Sequence, residues 1–134
     1  MTVTPYLFYE GRCAEAIAFY EKAIGARVTL TMHFRDAPPG TPIDPTHADK
    51  IMHATLVVGG SELLVSDGNC AAAASFTGFC VNLTTSDEAE AARWFHGLSQ
   101  GGAIRMKLEK TFFAKSFGMC TDPFGVGWMV MVPA

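Results

Sequence analysis

The sequence predicts an α+β fold of two tandem β-α-β-β-β modules. Two observations carry this. The stretch Ala14-Glu15-Ala16-Ile17-Ala18-Phe19-Tyr20 returns 75 residues later as Ala89-Glu90-Ala91-Ala92-Arg93-Trp94-Phe95. Each copy follows a short apolar run, precedes glycine (Gly25; Gly101 and Gly102) and leads into three strand-like segments. The repeat divides the chain into module one at 1–68, a small alanine-rich linker at 69–75, and module two at 76–134. The seam between the modules is the expected binding cleft.

Taken in order, Val3 to Phe8 reads as a strand, with Pro5 marking an edge or strand end. Ala16, Ile17, Tyr20, Ala23 and Ile24 recur at helical spacing from Cys13 to Ile24. Gly25 is placed for the left-handed conformation that ends a helix. Arg27 to Phe34 is rich in β-formers, with Val28, Leu30, Met32 and Phe34 on one face. Pro38, Pro39, Pro42 and Pro45 make 35–50 a long loop without helix or central strand. Such a loop is either functional or a surface insertion. Ile51 to Val58 and Ser61 to Ser66 form a hairpin around Gly59-Gly60, whose positive φ angles suit a two-residue turn.

Module two repeats the plan. Phe76 to Leu83 reads as a strand, and Thr85 with Glu88 fits a capping box. Ala91, Ala92, Phe95 and Leu98 form the buried face of a second helix. Ala103 to Leu108, Ser116 to Thr121 and Trp128 to Val132 are three further strands. Asp122-Pro123-Phe124-Gly125 has the residues of a type I turn.

Composition bounds function. Hydrophobic residues make up 49% of the 134, ample for one compact core. Charged residues are only 17%, which points to self-association. A net charge of −3 with no basic stripe argues against a nucleic-acid partner. No apolar run reaches the roughly 20 residues of a membrane helix, and the N-terminus lacks the marks of a signal peptide. The expected place is the cytoplasm, away from membranes. Cys13, Cys70, Cys80 and Cys120 include no C-x-x-C pair and read as free thiols in a reducing compartment.

The motifs together resemble a known group. Ala-Ile-Ala-Phe-Tyr at 16–20, a glycine soon after, and Asp122-Pro123-x-Gly125-x-x-Trp128 resemble the vicinal-oxygen-chelate superfamily of glyoxalases, bleomycin and fosfomycin resistance proteins and extradiol dioxygenases. Lys50-Ile51-Met52-His53-Ala54, Gly59-Gly60-Ser61 with Ser66-Asp67, and Thr111-Phe112-Phe113 before Phe117-Gly118-Met119 look like its PhnB-like, demethylubiquinone methyltransferase-like branch. The resemblance implies curled mixed sheets around a half-open cavity, usually in a homodimer. It also implies a test for metal, since metal-dependent members use one ligand from each key strand. Counting from the helices, those positions fall on Pro5 and Phe79, and after the Asp-Pro-x-Gly turn on Met129. The fourth falls near Leu64 to Ser66. Proline and phenylalanine cannot ligate, and a thioether is too soft for the ions this fold uses. The expectation is no metal and no cofactor. No Gly-rich turn joins a strand to a helix as a methyl-donor or dinucleotide site requires.

Candidate site residues follow. His53 lies on a strand whose other face carries Ala54, Leu56 and Val58. It reads either as a general acid or base or as a structural histidine. Asp67 reads as its partner across the hairpin or as an Asx-turn residue beside Gly68. Tyr6, Phe8, Phe112, Phe117 and Trp128 are candidate cleft aromatics, with ordinary core as the alternative. Met52, Met106, Met119, Met129 and Met131 suit adaptable apolar binding. A metal site from His47, Asp49 and His53 can be drawn, though two of these sit on the proline loop. Cys13 near a helix N-terminus would have a lowered thiol pKa. Three functional readings result. The first is a metal-free protein holding a small hydrophobic or aromatic molecule. The second is a metal-independent enzyme using His53 and Asp67. The third is a metalloenzyme with atypical ligands, which elemental analysis would reveal.

Overall fold

The computed structural model describes residues 1–71 and 73–134. Ala72, inside the expected linker, lies outside the described residues. The chain divides into two compact units, Met1–Ala74 and Ser75–Ala134. Each is a β-α-β-β-β unit, as the repeat predicts.

The first unit contains β1 (Tyr6–Phe8), α1 (Cys13–Ile24), β2 (Arg27–His33), β3 (Ile51–Val58) and β4 (Ser61–Ser66). Its sheet runs β1-β4-β3-β2, with β1 parallel to β4 and the remaining pairs antiparallel. Side chains alternate across a sheet. Leu7, Val65 and Ala54 therefore share one face in register, as do Leu63 and Leu56. All five are buried, along with Ala16, Ile17, Tyr20 and Ile24 of α1. That face and α1 form the core. Each full burial of a Leu or Val contributes about 1.5–3 kcal/mol. Gly25 ends α1 at φ 67°, as expected.

The second unit contains β5 (Val81–Thr84), α2 (Glu88–Ser99), β6 (Ala103–Glu109), β7 (Ala114–Thr121) and β8 (Gly127–Pro133). Its order is β5-β8-β7-β6, with β5 parallel to β8. The pairing plan repeats that of the first sheet strand for strand. Trp128, Val130 and Cys120 lie on the face toward α2 and are buried with Ala91, Phe95 and Leu98. Gly118 permits this packing. A Cβ there would come within 2.8 Å of the Phe95 ring and 2.9 Å of the Leu108 backbone.

Several local expectations are corrected. β1 and β5 are shorter than the runs suggest, beginning at Tyr6 and Val81. The cap of α2 is Asp87, whose carboxylate accepts from Ala89 and Glu90 N–H. Thr85 instead donates to the Glu90 carboxylate at 2.7 Å. Ala92 is exposed. A register shift between Val28 and Leu30 splits the expected single face of β2, so Val28 opposes Leu56 while Leu30 opposes Thr55. The proline loop holds two short 3₁₀ turns, Phe34–Asp36 and Pro45–His47. Of the hairpin glycines, Gly59 has positive φ, at 58°.

Candidate functional site

Each helix covers one face of its sheet, and alternation sends the other side chains to the opposite, open face. In the first unit this face carries Tyr6 opposite Leu64, Leu64 opposite Thr55, Phe8 opposite Ser66 and Met32 opposite His53. Tyr6 stacks on Phe8 with ring centroids 4.9 Å apart and an interplanar angle of 14°. The Tyr6 hydroxyl lies 2.7 Å from His53 Nδ1, and His53 Nε2 lies 3.0 Å from Thr55 Oγ1. Both imidazole nitrogens are thus engaged by hydroxyls on the same face. Burial first, and the neighbouring Cys13 second, push the Tyr6 phenol above its ordinary range, against a hydrogen bond from Ser66. Tyr6, Phe8 and His53, separated by up to 47 positions in sequence, form one aromatic and polar patch.

Asp67 does not join it. In place of a pairing with His53, one of its two readings, its carboxylate makes three backbone bonds. Oδ1 accepts from Gly11 N–H at 3.0 Å and Cys13 N–H at 2.8 Å, and Oδ2 accepts from Ile51 N–H at 2.7 Å. Asp67 is 1% exposed. Arg12, the residue at the N-cap of α1, makes no side-chain cap bond. Asp67 supplies that cap from 54 residues away, and its charge suits the positive helix end. This role depends on chain folding and has no local sequence signal.

The same carboxylate reverses the expectation for Cys13. Burial, reinforced by Asp67, pushes its thiol from 9.0 up to about 12. Burial likewise pushes Cys120 up to about 11, with Asp122 adding to it. Buried thiols held protonated are poor nucleophiles. Native protein at mildly alkaline pH is expected to alkylate at half-buried Cys70 and Cys80 first, with Cys13 and Cys120 labelled only on unfolding. Mass spectrometry of timed samples checks this. The raised values also set a sign. The unfolded chain loses these protons from about pH 9 and the folded chain only near 11–12, so stability falls as pH rises through that window.

Trp128, read either as a cleft aromatic or as core, is fully buried on the α2 face, and its Nε1–H donates to Asp122 Oδ2 at 2.9 Å. Phe117 opposes Met131 on the open face of the second sheet. Phe113 meets Phe117 edge-on at 5.1 Å, and Phe112 meets Phe113 at 5.1 Å. Phe112 is 99% exposed. His33 at the end of β2 pairs with Asp36 at 3.6 Å and His47 of the proline loop with Asp44 at 3.8 Å, while Arg35 pairs with Asp49. They brace the loop and do not meet His53.

Pro5 and Phe79 fall just before β1 and β5, and the side chains these strands turn to the open faces are Tyr6, Phe8, Asn82 and Thr84. Met129, also on an open face, opposes Met119. Among the described residues, no three His, Cys, Asp or Glu side chains converge. These residues do not fit the hard or borderline divalent ion of the superfamily, which needs several nitrogen or oxygen donors.

The paired β-α-β-β-β units define a protein of the glyoxalase/bleomycin resistance/dioxygenase fold. A domain of that description from Frankia sp. EAN1pec matches 98% of this chain and 94% of its own at a TM-score of 0.65, with 12% identity. More particularly, the chain belongs to the family described as 3-demethylubiquinone-9 3-methyltransferase, whose family model matches residues 1–131. It is similar to Protein YjdN of Escherichia coli (strain K12), at 34% identity over 98% of this chain and 95% of that one. It is also similar to protein PA1353 from Pseudomonas aeruginosa, at 41% identity and a TM-score of 0.85 over 98% and 96% of the two chains. Among the described residues no helix is long and apolar enough to cross a membrane.

Proposed function

We propose that the protein binds a small hydrophobic or aromatic molecule on the open face of its first sheet, without a metal. The observation that carries this is the Tyr6–Phe8 stack, with both rings part-exposed beside the hydrogen-bonded His53 and Thr55. A planar apolar ligand gains stacking area there and finds hydroxyl and imidazole groups at its edge. The methyltransferase wording of the family description receives no support from the architecture. Each sheet is mixed, with a single parallel pair, unlike the doubly wound parallel sheet that cradles a nucleotide-type cofactor.

Anilinonaphthalene sulfonate titration tests the reading. Phe8→Ala is expected to weaken binding about tenfold, the scale of one lost aromatic pair. His53→Ala is expected to change it by less than about threefold, with no turnover of any tested substrate. Equal binding by Phe8→Ala and the parent protein sinks the proposal.

A second reading has one specific observation behind it. The Tyr6 hydroxyl and His53 Nδ1 at 2.7 Å form a phenol–imidazole pair able to pass a proton to a ligand. In that case activity vanishes in His53→Ala while the fold is kept. Asp67, committed to three backbone donors, has no part in it.

A further inference from the structure

We infer that the open face of the second sheet holds a site for a soft monovalent metal ion of the copper(I) type, with thioether sulfurs as ligands. Met106 opposes Met119 across β6 and β7, and Met119 opposes Met129 across β7 and β8. Three methionines therefore stand side by side in one row across three neighbouring strands. Side chains in such register have Cβ atoms about 5 Å apart. Methionine adds three rotatable bonds and a polarizable sulfur, so the central Met119 can share an ion with either neighbour. Met131, two residues beyond Met129, turns to the same face opposite Phe117. The helix side of these strands is closed by Trp128, Val130 and Cys120, so the row is confined to the open side.

Two further features favour a ligand over plain lining. The β6–β7 register shifts on both sides of Met106, between Ile104 and Met106 and again between Met106 and Glu109. Irregularities of this kind re-aim a side chain. Exposure is also graded, with Met106 50% exposed and Met119 and Met129 half-buried. An ion can therefore arrive from solvent at Met106 and settle on the inner two. Neutral thioethers select copper(I) over harder ions. The nitrogen and oxygen donors that would draw zinc or magnesium do not converge among the described residues. Binding exchanges the ion's water for sulfur and displaces no proton, because a thioether carries none.

Silver(I), a redox-silent probe of the same class, tests this in the full chain carrying Cys70→Ser and Cys80→Ser, with methionine methyls labelled for NMR. The methyl signals of Met106, Met119 and Met129 are expected to shift together and saturate at a single equivalent, leaving those of Met1, Met32 and Met52 in place. Affinity is expected to stay flat from mildly acid to neutral pH, whereas capture by thiolates weakens as pH falls. Met119→Leu conserves volume and apolar character, and is expected to weaken silver binding about tenfold or more. The inference is overturned if the three signals stay put in excess silver, if all methionines shift alike, if silver follows only Cys13 and Cys120, or if Met119→Leu binds as the parent does.

Discussion

Asp67→Ala is expected to destabilise the protein by about 3 kcal/mol or more, the largest effect of any single polar substitution in the first unit. The carboxylate, itself 1% exposed, holds the N–H groups of Cys13 and Ile51 in buried bonds and that of Gly11 in a part-buried one. Each buried donor left without an acceptor costs about 1–3 kcal/mol, and the three do not add fully. Urea denaturation should show a lower midpoint with an unchanged slope. Asp67→Asn keeps one acceptor oxygen but turns an amide N–H toward a donor, so it is expected to recover only part of the loss. A midpoint shift within about 0.5 kcal/mol, as at an ordinary surface site, would show that Asp67 is not the pin between the α1 entry and β3. The same variant tests the acid–base reading from the other side. Were Asp67 an orienting partner of His53, its loss would change ligand handling and leave stability nearly intact.

Trp128→Ala is expected to cost about 3–5 kcal/mol, the range for removing a large aromatic from a packed core. The indole is fully buried on the α2 face, and its N–H satisfies Asp122, which also accepts from Phe124 and Val126 N–H at 2.9 and 3.0 Å. Trp128→Phe retains most of the packing and removes the N–H, and is expected to lose about 1–3 kcal/mol. Neither change should alter anilinonaphthalene sulfonate affinity in the folded fraction. A Trp128→Phe variant of unchanged stability but weakened ligand binding would return Trp128 to the binding face.

These two residues show where sequence reading fails and why. The repeat, the helix from Cys13 to Ile24 and the β3–β4 hairpin are all local patterns of spacing and turn chemistry, and each is found where the pattern puts it. For Trp128 both cleft and core stay open in the sequence, because a strand alternates with period two and the pattern alone does not name the covered face. Its apolar neighbours Val130 and Val132 shared its parity, but Met129 and Met131 made the other face apolar too. His53 lies on the expected strand with Thr55 two positions along the same face, yet its partner Tyr6 depends on β1 lying beside β4 and β4 beside β3. The missed cap of α2 is of a different kind. Asp87 lies two residues from Thr85, and both satisfy the local preference for a short oxygen-bearing side chain.

By itself, then, the chain's order of residues determined two copies of one strand-helix-strand plan, the β3–β4 hairpin and the Gly25 end of α1, since these depend on neighbours within a few positions. The fate of each polar side chain was decided only in three dimensions. Asp67 became a helix cap and His53 a partner of Tyr6 because parallel β1–β4 pairing joins strands far apart in the chain, and three methionines became one row through the antiparallel register of β6, β7 and β8. A hydrogen bond across such a distance leaves no spacing to read, and only the paired strands reveal which donors and acceptors meet.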